Sequence, residues 1–377
     1  MPGTLSLHFP RYELHEPRVP VWCATPGVGR LFHRFFDTSP FSPSGRYLAL
    51  TRLPFEDRLP QPGDVAEVVL VDLHTGKERT VAETRGWDTQ LGAQTQWGAT
   101  DHDLFFNDMD VESWTPFGVR LDPVDGGRRL LDGTVYMVSP DGSKAISPCL
   151  LRTGATQAGY GVLAPHGVAP VNRGAPENDG VFLTDTVTGA SRLLVSLAEI
   201  VERTRPLDPD VFVGGSYYGA HVKWNPQGTR IMLVLRWLPD GGDTAHMERM
   251  VVTMNADGSG IAIAIPADRW KPGGHHPNWC PDGETVLVNL NLHGDGLRFV
   301  TARYDGSTLE DAAPGVMGSG HPTLHPDGRH IVTDAYPNEP LAYGDGTTPI
   351  RFVDRLAGTE SALVRIHVVP PFEGPRK

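Results

Sequence analysis

Three histidines stand at one register of a repeated string. They are His221 in HVKWNPQG, His276 in HPNWCPDG and His321 in HPTLHPDG, each seven residues before a turn glycine. Three imidazoles brought to one place make the ligand set of a divalent transition metal. Aligning an earlier unit on Trp97, the counterpart of Trp224 and Trp279, puts Gln94 in the same register, where it or a water would complete the set. Taken singly, each histidine fits equally well as a strand cap bonded to a neighbouring carbonyl. The shared register, reached each time through a glycine-rich string (GAH, GGHH, GSGH), is what points to a metal held by His276, His321 and Gln94. Imidazole suits manganese, zinc, iron and nickel alike.

Other polar residues gather on the segments that lead into these strings. Arg34 in HRFFD offers a fork for a carboxylate. Tyr160 in QAGYG and Tyr218 in GSYYGAH offer a proton to a leaving oxygen. A surface ion pair for the arginine and packing between units for the tyrosines are the competing readings. His33, His275, Gln90 and Arg236 are the further candidates for contacting a substrate, whereas His325 lies within a turn and reads as structural. A Gly/Pro-rich insertion, RTGATQAGYGVLAPHGVAPVNRGAPEND, is long enough to serve as a lid.

A repeat must position these residues. The turn recurs as Ser42-Pro43-Ser44-Gly45, Ser139-Pro140-Asp141-Gly142, Asn225-Pro226-Gln227-Gly228, Cys280-Pro281-Asp282-Gly283 and His325-Pro326-Asp327-Gly328, with a degenerate copy after Trp97. Each copy precedes a β-rich apolar run such as TRIMLVLRW or ETVLVNLNL. Proline presets the first turn position and glycine accepts positive φ, so each is a hairpin. A second turn, as in VDLHTGKERT and TDTVTGASRL, joins two further strands. Four strands in a unit that recurs about every 40 to 60 residues describe the blade of a β-propeller. The expected fold is therefore all-β, a single propeller domain over residues 1–377. Six units start near residues 36, 90, 133, 215, 274 and 319, and the strands LSLHF and VPVWCAT of residues 1–35 complete the last blade. A seventh blade, if the ring is of the seven-bladed type, is incomplete. In such a ring equivalent positions are related by rotation about the channel axis, so one register maps onto one ring near a channel mouth.

Composition narrows the function. The net charge is −12, which disfavours nucleic acid. A site for an acidic ligand would need local positive charge. The three cysteines, Cys23, Cys149 and Cys280, have no CxxC spacing and are too few for a disulfide framework. Neither a signal-peptide core nor an apolar run long enough to span a membrane is present, so the expectation is a cytoplasmic protein without a membrane partner.

The strings HRFFDTSPFSPSG, YYGAHVKWNPQG, GGHHPNWCPDG and SGHPTLHPDG resemble the oligogalacturonate lyases, and more loosely the propeller-type ulvan lyases. The resemblance covers most of the chain as a blade pattern. It implies a seven-bladed cytoplasmic propeller, with His221 as the catalytic base, His276 as a manganese ligand and His321 as the histidine of the next blade. It implies β-elimination at a uronate of an acidic oligosaccharide. Two departures stand out: the family's final H-P-H-P blade is missing, and His221 is flanked by Ala220 and Val222 rather than glycine and proline. The alternative is a non-catalytic, TolB-like propeller that binds a protein or peptide at the channel mouth. A peptidase is disfavoured by the lack of a G-x-S-x-G elbow, and a glycoside hydrolase by the lack of paired carboxylates at the histidine register.

Overall fold

The computed structural model describes residues 2–25, 29–55, 57–204 and 212–368. Among them are six four-stranded antiparallel sheets, each with its strands hydrogen-bonded in chain order. The first blade holds β1 to β4 (Leu31–Phe32, Tyr47–Arg52, Ala66–Asp72, Glu78–Thr84). The second holds β5 to β8 (Gln96–Trp97, Leu104–Asp110, Thr115–Leu121, Arg128–Leu131), and the third β9 to β12 (Met137–Val138, Lys144–Ser147, Gly180–Asp185, Ser191–Ser196). The fourth, with the longest strands, holds β13 to β16 (Gly215–Trp224, Arg230–Pro239, Glu248–Asn255, Ala262–Ile265). The fifth holds β17 to β20 (Gly274–Trp279, Thr285–Leu290, Arg298–Arg303, Leu309–Asp311), and the sixth β21 to β24 (Thr323–Leu324, His330–Thr333, Thr347–Asp354, Thr359–His367). The fold is an all-β propeller. No helix of the described residues is long and apolar enough to cross a membrane.

The repeated turn has one geometry. In all five copies the glycine N–H donates to the carbonyl three residues back, at 2.7 to 2.9 Å, and the glycine φ lies between 67 and 74°. A side chain there would be strained, which is why the sequence returns to glycine. The outer hairpins repeat a second device. Asp72, Asp122, Asp185 and Asp354 each accept the backbone N–H groups two and three residues on, closing an Asx turn. Blades are tied by the recurring tryptophan: Trp97 Nε1 donates to Pro40 O at 3.0 Å, and Trp279 Nε1 to Lys223 O at 3.3 Å, each on the preceding blade. Central strands are buried on both faces, as in Arg230–Pro239, where only the two end residues are partly exposed.

The ring closes differently from the sequence expectation. The sixth blade is complete in its own strands, and no seventh sheet is found among the described residues. The segment LSLHF lies largely in a helix, α1 (Pro2–His8), and VPVWCAT contributes only the isolated bridge of Trp22 to Arg11. The first blade begins at Leu31, ahead of residue 36. The N-terminal segment instead spans the seam. Phe9 packs with Leu48, Leu50, Val71 and Leu73 of the first blade, joined by Leu5 and Trp22. Tyr12 OH donates to Arg365 O at 2.7 Å and Arg18 N to Leu363 O at 2.8 Å, both on the last strand of the sixth blade. Hydrophobic burial on one side and backbone hydrogen bonds on the other make it a clasp. Phe9→Ala should therefore destabilise the fold by about 3 kcal/mol in urea unfolding. A variant as stable as wild type would show that the clasp is not part of the core.

Candidate functional site

The loop after β1 carries His33, Arg34, Phe35, Phe36 and Asp37 into the centre of the ring. Asp37 has no side-chain exposure and pairs with Arg34 Nη1 at 2.6 Å and Lys223 Nζ at 2.8 Å. Burial alone would raise its pKa, but Arg34 and Lys223 outweigh it and hold the carboxyl well below the usual range. Lys223 also donates to Pro277 O at 2.8 Å. Arg34 Nε donates to Gln94 Oε1 at 2.7 Å, and its guanidinium lies 4.6 Å from the centre of the Tyr136 ring. The loop thus contacts blades two to four through charge, and the fifth and sixth through aromatic rings.

Around Phe35 the three register histidines converge. Its ring centroid lies 6.0 Å from His221, 6.0 Å from His276 and 5.6 Å from His321. His276 and His321 stack on each other at 3.9 Å, and His275 meets His276 edge-on at 4.5 Å. The shared register therefore does map onto one place. Its backbone is unusual: Gln94, His221 and His276 all have positive φ (59, 47 and 59°). In β13 and β17 the pairing register shifts at these histidines, between Ala220 and Lys223 and between His275 and Asn278. Such bulges re-aim a side chain, and non-glycine residues held at positive φ mark sites where the surroundings impose the conformation. In the sixth blade Gly320 takes the positive φ one residue earlier, and a Cβ there would meet Asp334 O at 2.2 Å.

Each imidazole has a defined set of partners. His321 Nδ1 lies 3.0 Å from both oxygens of Asp334. His276 Nδ1 lies 2.9 Å from Gly320 O, 2.8 Å from His275 Nδ1 and 3.4 Å from the Tyr336 hydroxyl. Asn289 Nδ2 bridges His275 Nδ1 and Gly320 O. The Nε2 atoms of His276 and His321 make no hydrogen bond to the described residues. Burial, then His321, holds His275 at about 4 and His276 well below its ordinary value, so both stay neutral. His221 is also held neutral, by burial and then by Arg236 and Lys223. Its Nδ1 faces the Tyr136 hydroxyl at 2.8 Å and its Nε2 faces Gln157 Oε1 at 3.3 Å. Tyr136 is itself pushed upward by burial and remains protonated.

The insertion after the third-blade helix α2 (Leu150–Thr153) covers this side of the site. Tyr160 stacks edge-on against His221 at 5.5 Å. Its hydroxyl makes no hydrogen bond to the described residues, and burial, with Asp88 nearby, pushes it up to about 12. Arg236 Nη1 donates to Thr156 Oγ1 at 3.0 Å and Nη2 to Gln157 Oε1. Asp88 fixes the return of the insertion by accepting Gly161 N at 2.8 Å, besides Gln90 N and Leu91 N. Buried behind the site, Asp88 is pushed up to about 7 against those three donors.

The candidates divide accordingly. His221, Tyr160 and Arg236 share one side of the site; His275, His276 and His321 share the other. Gln94 sits by Arg34 with its oxygen committed to that guanidinium, and Gln90 lies beside the insertion, its side chain close to Gly159. Arg34 is 2% exposed, so its charge faces Asp37 rather than an open surface. His33 is half-buried beside it, with its Nδ1 buried and unpartnered among the described residues and its pKa lowered by burial, then by Arg34. Tyr218 lies in a separate packed cluster with Leu238 and Met247, its hydroxyl accepting from Asn172 N at 3.3 Å. Tyr136, Lys223, Asp37, Gln157 and Asp88 carry no role in the sequence reading, whereas the segment Asp334-Ala335-Tyr336-Pro337 after the last histidine unit is one the sequence turns back toward the channel, and Asp334 meets His321 there. Asp37, Tyr136 and Lys223 lie within two residues of the register positions of their units, which are Thr38, Val135 and His221, seven before Gly45, Gly142 and Gly228. A separate group, His102, Asp122 and Asp125, is the one set of three or more His, Cys, Asp or Glu among the described residues whose ligand atoms all lie within 4.8 Å of one another; the ring histidines form pairs but no such set. It lies in an outer turn of the second blade, away from the ring, and Asp122 is already occupied in closing that turn.

No protein-family model matches the chain, and no curated protein matches it. Solved structures do. An oligogalacturonate lyase from Vibrio parahaemolyticus aligns with a TM-score of 0.62 at 14% identity, over 94% of this chain and 84% of its own. An oligogalacturonate lyase in complex with manganese aligns with a TM-score of 0.61 at 15% identity, over 95% and 84%. A prolyl endopeptidase aligns at 0.51 and 13% over 93% of this chain but 45% of its own. At these identities the likeness is one of fold: this chain is a β-propeller similar to the oligogalacturonate lyases over nearly its whole length.

Two outcomes follow from the electrostatics. Asp37→Asn strands Arg34 and Lys223 without a counter-charge and should lower unfolding stability by about 3 to 5 kcal/mol; an unchanged urea midpoint would refute the pairing. His221, His275 and His276 are neutral when folded but protonate near 6.5 when unfolded. Their contribution is complete above that pH and is lost as pH falls, by about 2 kcal/mol each at pH ~5. Asp88, raised to about 7, acts oppositely and returns about 3 kcal/mol over the same interval. Calorimetry should thus show a net loss of about 3 kcal/mol on acidification; a flat or rising profile would contradict neutral buried imidazoles.

Proposed function

We propose that the protein is a metal-assisted carbon–oxygen lyase that cleaves uronate-containing oligosaccharides by β-elimination. The observation that carries the reading is the convergence of three histidines from successive blades on Phe35, with His221 held neutral beside Arg236. The likeness in fold to oligogalacturonate lyases, one of them solved with manganese, supports it.

Two imidazole donors, His276 and His321, would hold a divalent ion, with water in the remaining positions, since the described ring residues bring no three His, Cys, Asp or Glu ligand atoms within 4.8 Å of one another and the Gln94 oxygen is on Arg34. His321 is backed by the Asp334 carboxylate and His276 by Gly320 O, the arrangement that fixes an imidazole tautomer and presents Nε2 as a ligand. Manganese is favoured, and zinc, iron or nickel suit the same nitrogens. When bound, such an ion neutralises the uronate carboxylate and so acidifies the C5 proton. This chain's residues do the rest. Arg236 supplies local positive charge in a protein of net charge −12 and holds the carboxylate in its fork. His221, neutral, accepts the C5 proton. The C5–H electron pair becomes the C4=C5 double bond as the C4–O bond breaks. Tyr160, still protonated, donates its proton to the departing oxygen.

Metal content by mass spectrometry and cleavage of a panel of uronate oligosaccharides, read by absorbance of the unsaturated product, test this together. Wild type should carry near-stoichiometric metal that His276→Ala and His321→Ala lose. His221→Ala should keep the metal and lower kcat by about 10²- to 10⁴-fold. Full activity in His221→Ala would remove the base. A wild type that takes up no metal after manganese reconstitution and cleaves no uronate would leave a propeller that binds a protein or peptide at its channel mouth.

A further inference from the structure

Gln157 stands between the two groups proposed to handle a carboxylate and a proton. Its Oε1 accepts from Arg236 Nη2 and lies 3.3 Å from His221 Nε2. Arginine has only donors, so the oxygen of the carboxamide is the atom that faces it. The imidazole must then carry its proton on Nε2 to donate to the same oxygen, and its Nδ1 accepts the Tyr136 hydroxyl. One oxygen thus takes hydrogen bonds from a guanidinium and an imidazole, an arrangement that a carboxylate makes more strongly. The donor edge is incompletely used: Arg236 is 4% exposed, yet its Nε is buried without a partner among the described residues. A single carboxamide oxygen leaves that second N–H unmatched, where the two oxygens of a carboxylate match both. Gln157 is also mounted differently from the groups it caps. It belongs to the insertion, half-buried between the buried Thr156 and the exposed Ala158, whereas Arg236 and His221 sit on the longest strands of the ring.

We propose that Gln157 holds the place of a ligand carboxylate on Arg236 and His221, and that a carboxylate displaces it on binding. The inference deepens the reading of the site as one for uronates. Displacement has a second consequence. With Gln157 in place neither nitrogen of His221 has a free lone pair, because Nδ1 accepts from Tyr136 and Nε2 carries the proton. Once Gln157 leaves, the proton can pass through water from Nε2 to Nδ1 and be donated to the Tyr136 oxygen. The Nε2 lone pair then opens toward the ligand. The base is thereby uncovered by the same event that fills the carboxylate subsite.

The test uses acetate as the probe, read by the ring resonances of His221 in histidine-labelled full-length protein, with sodium chloride as the ionic control. Gln157→Ala empties the position and should respond to acetate at concentrations ~10-fold or more below those needed by wild type. Gln157→Glu supplies its own carboxylate and should be insensitive to acetate. Equal acetate responses in wild type and Gln157→Ala would overturn the proposal, as would a Gln157→Glu variant that responds like Gln157→Ala. Uronate cleavage measured alongside reports on the lyase reading separately. The expected acetate pattern without any cleavage retains the displaced carboxamide and removes the lyase; cleavage with a flat acetate pattern does the reverse.

Discussion

A carboxylate with two cations, all out of water, sets the centre of this molecule. Asp37 is flanked by Arg34 and Lys223, and through them one short loop of the first blade reaches the second, third and fourth. The neighbouring phenylalanines complete the circuit on the fifth and sixth. A propeller has little else to hold along its axis, because each blade packs chiefly on its neighbours. Burying three charges is expensive, and an apolar plug would pack as well. What the ion pairs add is direction. They fix Phe35 where three histidines from different blades can all touch it, while burial first, and then Arg236 and Lys223, keep the His221 imidazole neutral.

The second constraint is conformational. Two register histidines and Gln94 are held at positive φ in bulged or pre-strand backbone, where most side chains are disfavoured. A flat strand would alternate its side chains between the two faces of the blade. The bulge breaks that alternation once, at the position that turns inward. The repeat therefore supplies the site as well as the scaffold: the same departure from strand geometry in successive blades aims successive side chains at one point.

The repeat was readable because its turns obey rigid local rules. A glycine at positive φ after a proline leaves a mark in the sequence; five such marks locate five of the blades, and the degenerate copy after Trp97 locates the second. The histidine ring was readable for the same reason, since register is a local count. What escaped was long-range. Nothing near residue 37 says that its carboxylate will meet Lys223, and nothing in the insertion says that Gln157 will land on Arg236. Tyr218 resembles Tyr160 in the sequence, yet the strand carries the Tyr218 hydroxyl to Asn172 whereas the insertion lays the Tyr160 ring against His221. The N-terminal strings looked like strands because their apolar content suits either element, and only the seam between the first and sixth blades selects a helix and a short bridge.

The clasp at that seam also orders events in time. Tyr12 bonds a residue 353 positions later in the chain. On a ribosome that adds ~5 to 20 residues per second, the N-terminal segment waits roughly 20 to 70 seconds for its partner strand to exist. Until then the N-terminal segment is packed on the first blade alone, and the growing protein is an open stack of blades. Closure is a non-local contact, slow by its topology and made last. The nascent ring is therefore most exposed to misassembly just before the last strand of the sixth blade emerges, when Phe9 and Trp22 are held by the first blade alone.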